Sequence, residues 1–140
     1  MEIRKLGNLE TMSEKNYVEL QDFEIYKLAR EYSKIAWEIY QTLDWQLKRI
    51  IGDQMITSVD SVGANIAEGY GRFHFLDKIK FFYNARGSLL ESGHWFGVLI
   101  ERKIINEAKF NELRKLREKI LLKINIFIKS QYERKNNLIS

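Results

Sequence analysis

From Ile25 onward, apolar residues return every three or four positions: Ile25, Leu28, Ala29, Tyr32, Ile35, Ala36, Ile39 and Leu43. That spacing places them on one face at 3.6 residues per turn and predicts a helix over about 23–42. Asp44 then offers a short acceptor side chain to a free backbone N–H, the pattern of an N-cap. Ile51, Met55, Val59, Val62 and Ile66 form the next stripe, which Gly69 and Gly71 close just after Glu68. A third helix is predicted from Leu76 to Arg102, with Asp77 in its positive first turn and Ile79, Phe82, Leu89, Phe96 and Leu99 inward. Its interior glycines, Gly87, Gly93 and Gly97, each cost about 1 kcal/mol relative to alanine, which demands a compensating close approach of another helix. Asn106 predicts a second N-cap, with Ile105 and Phe110 placed as a hydrophobic staple. The fourth helix, about 107–131, turns Leu113, Leu116, Ile120, Ile124 and Phe127 inward.

Four amphipathic helices joined by short connections bury their stripes most simply as sequential neighbours. The expected fold is all-α, an antiparallel up-down-up-down four-helix bundle over 22–132, with an N-terminal arm over 1–21 and a flexible tail over 133–140. Composition agrees: the 140 residues include no proline and are 45% hydrophobic, enough for one core and long uninterrupted helices. The absence of cysteine excludes disulfides, thiolate metal sites and cysteine nucleophiles. No stretch approaches the roughly 20 apolar residues of a membrane span, and the first twenty residues lack a secretory apolar run, so a soluble cytoplasmic protein is expected.

Charge is unevenly placed. Residues 108–140 hold nine Lys/Arg against three Asp/Glu, while residues 1–107 hold fourteen against sixteen. Basic side chains neutralise phosphates and loop aromatics stack on unpaired bases. The candidate nucleic-acid contacts are therefore Lys109, Arg114, Lys115, Arg117, Lys119 and Lys123 on the fourth helix, with Arg72 and His74, beside Tyr70 and Phe73, in the loop between the second and third. The plain alternative is a solvated helix face.

Two features exceed what a core stripe requires. Phe23, Tyr26, Trp37 and Tyr40 fall on a second face of the first helix at ~100° per residue, and Leu122 with Ile126 lies off the inward stripe of the fourth. Contiguous exposed apolar patches mark interfaces, so these six are candidates for a homo-oligomer contact. On the second helix Gln54, Ser58, Ser61, Asn65 and Glu68 form a polar line, and Arg86, Ser88 and Glu91 on the third are its expected partners. A charge-assisted structural network that sets helix register is predicted, with Glu68 meeting Arg86.

Catalytic chemistry finds little footing. His74 and His94, the only histidines, have no ligand spacing, and nothing near Ser88 would activate its hydroxyl. Gly69-Tyr70-Gly71-Arg72 follows a helix rather than a strand and lacks the lysine and hydroxyl of a phosphate loop. No enzyme activity, metal or cofactor is expected.

The run Asn65-Ile66-Ala67-Glu68-Gly69-Tyr70-Gly71-Arg72, with Ala85-Arg86-Gly87-Ser88-Leu89 and Glu91, resembles the family of proteins from intervening sequences of bacterial 23S rRNA genes, related to accessory proteins of diversity-generating retroelements. The resemblance covers about Asp22 to Phe127. It implies a four-helix bundle in a ring-like homo-oligomer, a pentamer, with an accessory role in binding RNA or DNA, and no enzyme. A protein-interaction or scaffold module with a protein partner is the other reading. Where relatives often carry basic residues after the glutamine matching Gln54, this chain has Met55-Ile56-Thr57.

Overall fold

The computed structural model describes residues 19–20 and 23–139. Helix α1 spans Glu24–Thr42, α2 Asp53–Tyr70, α3 Phe75–Glu101 and α4 Glu107–Ile139. The expected arm over 1–21 lies almost wholly outside the described residues. Both predicted N-caps form: Asp44 Oδ1 accepts from Leu47 N–H at 2.8 Å, and Asn106 Oδ1 accepts from Lys109 N–H at 2.8 Å.

Helix α2 has a lead-in that periodicity did not reveal. A single α-turn at Trp45–Leu47 passes into a π-helical stretch, Lys48–Gly52, before regular helix begins. Wider turns of this kind shift the phase of the helix that follows. Gly52 lies there against α1, where a Cβ would meet Leu43 Cδ1 at 3.0 Å and the Tyr40 ring at 3.1 Å.

Each helix touches its sequence neighbours, and α4 returns to α1, closing a four-membered circuit. Direction follows from facing residues. Between α3 and α4, Phe82 stacks on Phe127, Arg86 donates to Asn125, and Gly93 underlies Arg117, so numbers fall along one helix as they rise along the other. Across the diagonal, Phe23 meets Phe82 and Tyr32 meets Ser92 and Phe96, so α1 and α3 run parallel. The bundle is up-down-up-down, as the pattern predicts.

The predicted stripes make the core, including Tyr32, Met55, Val59, Phe82, Leu89, Phe96, Ile120 and Ile124, all closed to solvent. Burying each such side chain stabilises the fold by roughly 1.5–3 kcal/mol. At the end of α3, Lys103 adopts φ 60°, its N–H bonds Ile100 O, and Ile104 N–H bonds Leu99 O. That pair of bonds is a Schellman stop, sealed by Ile104 against the core.

The predicted tail is instead helical, since α4 continues to Ile139. Ile128 and Gln131 are buried, so the helix packs against the bundle as far as Gln131, and its last two turns run on mostly exposed.

Candidate functional site

The basic row of α4 is mostly engaged within the subunit. Lys109 pairs with Glu112 at 3.1 Å, Arg114 with Glu118 at 3.2 Å, and Lys123 with Glu24 of α1 at 2.8 Å. Glu24's carboxyl is held below the usual carboxylate range, first by that bond and then by the Lys123 charge. Arg117 departs from the expected outward row. Its guanidinium lies over Gly93, where a Cβ would meet Cζ at 2.9 Å, and its Nη1 is buried with no hydrogen-bond partner in the structure. The signal was in the spacing: Arg117 is four residues after Leu113 and three before Ile120, on the inward seam. Lys115 and Lys119 have no ion pair among the described residues.

The loop between α2 and α3 is a separate feature. Arg72 bonds Glu68 at 2.7 Å and its guanidinium sits 4.8 Å from the Phe81 ring centre. Phe73 projects with 88% of its surface exposed, touched edge-on by the exposed His74 ring at 5.2 Å. Lys78 anchors the loop by donating to Tyr70 O at 3.1 Å, and its ammonium is held below the usual lysine value, first by burial and then by Arg134. Gly69 permits this closure because a Cβ there would lie 2.9 Å from Phe81 Cβ and the Phe82 ring. Given the antiparallel register of α3 and α4, this loop stands about 20 residues of rise from Lys115, roughly 30 Å at 1.5 Å per residue. The two predicted basic groups therefore do not merge into one surface on one subunit.

The predicted polar network does not assemble as a unit. Glu68 turns to Arg72 in the loop just past the end of its own helix, while Arg86 occupies the α4 side of α3, donating to Asn125 Oδ1 at 2.8 Å with its guanidinium over the Tyr83 ring. Their expected contact fails because they lie on different flanks of α3. Ser58 is buried and bonds Met55 O, Asn65 bonds Ser61 O, and Glu91 accepts from Trp95 Nε1. Gln54 is exposed, and Ser88 is half-buried. The buried polar link that does cross the bundle was missed: Tyr32 Oη lies 2.6 Å from Ser92 Oγ, which also donates to Leu89 O at 2.6 Å.

The candidate interface residues divide as well. Phe23 is consumed inside the subunit, where its ring meets Tyr70, Phe82 and Phe127. Tyr26 and Tyr40 are half-buried against the core, Tyr26 taking a hydrogen bond from Arg30 and Tyr40 giving one to Asp53. Trp37 stacks on Tyr40 at 5.2 Å yet stays 49% exposed; Leu122 and Ile126 are 61% and 58% exposed. Beside Trp37, α1 and α2 part to leave an open groove of about 800 Å³ lined by Tyr26, Arg30, Glu31, Lys34, Asp60, Gly63, Ala64 and Ala67.

Among the described residues, no group of His, Asp and Glu is arranged to hold a metal ion, and no helix is long and apolar enough to cross a membrane. Compared with curated proteins, the chain has no match. Among solved structures, it is similar to a protein of unknown function from the S23 ribosomal protein family of Bacteroides thetaiotaomicron. The two share 21% sequence identity over 75% of this chain and 98% of that one, with a TM-score of 0.70, a likeness of fold. Compared with known families, residues 21–126 match the one described as 23S rRNA-intervening sequence protein, which spans all of α1 to α3 and most of α4. The bundle, its Asn65-to-Arg72 helix end and this match over three quarters of the sequence together place the chain in the 23S rRNA-intervening sequence protein family.

Proposed function

We propose that this chain is the subunit of a homo-oligomeric, non-enzymatic accessory protein of the cytoplasm that binds nucleic acid through the loop between α2 and α3. A pentameric ring is the assembly the family resemblance implies. The observation that carries the reading is Phe73, 88% exposed between Arg72 and His74. A projecting ring suits stacking on an unpaired base, which contributes about 1–3 kcal/mol, while the adjacent Arg72 is held by Glu68 at 2.7 Å. Repeating one such loop around an assembly raises weak single contacts by effective concentration. Helix α4 contributes less than its composition suggests, because Arg117 is turned inward and Lys109, Arg114 and Lys123 are paired.

Fluorescence anisotropy of the native protein with labelled hairpin RNA, single-stranded RNA and duplex DNA, at two salt concentrations, tests this. Binding that weakens with salt and drops roughly tenfold in the Phe73→Ala variant is expected. Absence of binding to all three at low salt overturns it. The groove between α1 and α2 favours a second reading, a scaffold that holds a protein partner. One partner captured repeatedly after nuclease treatment, with the groove required, supports that instead.

A further inference from the structure

Arg72 is held by Glu68, so the exposed ring of Phe73 has no unpaired arginine or lysine beside it in its own loop. Two other basic side chains converge on that end of the bundle. Lys78 lies on the first turn of α3, where its N–H bonds His74 O. Its side chain reaches back to Tyr70 O at 3.1 Å and so spans the two ends of the loop that carries Phe73. Arg134 comes from α4. Because Phe82 stacks on Phe127 between antiparallel helices, Lys78, one turn before Phe82, and Arg134, two turns after Phe127, fall at the same end. They stand about 6 Å and 10 Å along their axes from that stack.

We infer that Lys78 and Arg134 form the phosphate subsite of this loop: a phosphodiester of the strand whose base stacks on Phe73 sits between the ammonium and the guanidinium. The inference deepens the proposed nucleic-acid reading and rests on it.

The charges support the assignment. Neither Lys78 nor Arg134 has a carboxylate partner among the described residues. Burial lowers the Lys78 ammonium first and the Arg134 charge lowers it further, with no carboxylate raising it. Two like charges brought together at a half-buried site disfavour each other, and an anion between them removes that cost. Asp77 and Glu133 are the acidic neighbours in sequence, but each is turned roughly 100° around its helix from the cation beside it and pairs with neither.

The geometry of the donors agrees. The Lys78 ammonium carries three N–H groups and the Tyr70 carbonyl takes one, which fixes its position and leaves two for phosphate oxygens. Arg134 is exposed, and its planar fork suits two oxygens of one phosphate. The basic contribution of α4 to binding thereby moves to its far end, away from Lys115.

Anisotropy of a labelled single-stranded RNA, titrated with the full chain at several salt concentrations, tests the pair. The exposed Arg134 can be changed without disturbing the core. Arg134→Gln should weaken binding roughly threefold to tenfold and reduce the slope of log affinity against log salt by about 0.7, one single-strand phosphate contact. Arg134→Lys should restore the slope. Phe73→Ala should lose affinity at an unchanged slope. Lys115→Gln, which removes an equal charge roughly 30 Å from the loop, should leave the slope as it was. A neutral-backbone oligomer of the same bases should bind the unaltered chain and Arg134→Gln equally. A slope unchanged in Arg134→Gln, or lowered as far by Lys115→Gln, overturns this subsite alone, provided Phe73→Ala still loses affinity. Absence of binding at low salt, or undiminished binding by Phe73→Ala, overturns the loop reading and the subsite with it.

Discussion

The Tyr32 hydroxyl lies 2.6 Å from Ser92 Oγ, both residues closed to solvent, and so ties α1 to α3 across the diagonal of the bundle. Ser92 spends its own proton on Leu89 O, which makes Tyr32 the donor of the pair. The link fixes how far α1 slides along α3, since a step of either helix would leave a hydroxyl buried without a partner.

That asymmetry predicts unequal costs. Tyr32→Phe removes the donor and leaves the Ser92 bond to Leu89 in place, so it should cost about 1 kcal/mol. Ser92→Ala strands the buried Tyr32 hydroxyl and should cost more, within about 1–3 kcal/mol. Urea denaturation of both single variants and of the double variant measures the difference, and equal losses would contradict the assigned direction of the bond.

The same tyrosine should shape stability at alkaline pH. Burial raises its phenol above the ordinary value of 10.0, partly opposed by Ser92 and Arg117. The folded chain therefore keeps this proton to higher pH than the unfolded chain. The stabilisation is complete below the unfolded value and is lost as pH rises through the raised folded one. Tyr32→Phe should flatten the fall in melting temperature above about pH 10 without abolishing it, because Tyr40 and Tyr132 are raised as well, each chiefly by a side-chain hydrogen bond.

Glycines of one helix pair should respond in opposite senses. A Cβ at Gly69 meets Phe81 Cβ and the Phe82 ring at 2.9 Å, so Gly69→Ala should destabilise by about 1–3 kcal/mol despite its better helix propensity. A Cβ at Gly87 meets nothing within 4 Å, so Gly87→Ala should stabilise by roughly 0.5–1 kcal/mol. Thermal melts followed by circular dichroism distinguish the two.

Lys103 offers a stabilising change at a helix end. Its φ of 60° places a side-chain-bearing residue where glycine is at ease, in a stop whose hydrogen bonds are already complete. Lys103→Gly should raise stability by about 0.5–1 kcal/mol, read as a higher denaturation midpoint at unchanged slope.

Periodicity alone determined the four helices, both caps and nearly all of the core, because those depend on which side chains fall on one face of a single helix. Tyr32 was placed in the core stripe by its spacing, and Asp44 and Asn106 were caps by residue type and position. Tertiary structure alone decided partners. Arg86 reached Asn125 rather than Glu68 because the flank it occupies is set by how α3 and α4 meet. Arg117 turned inward because Gly93 left room for it. Phe23 left the expected interface because three rings from α2, α3 and α4 converge on it. A helix's face is a local property of spacing, whereas the neighbour that face meets is fixed only when the helices pack.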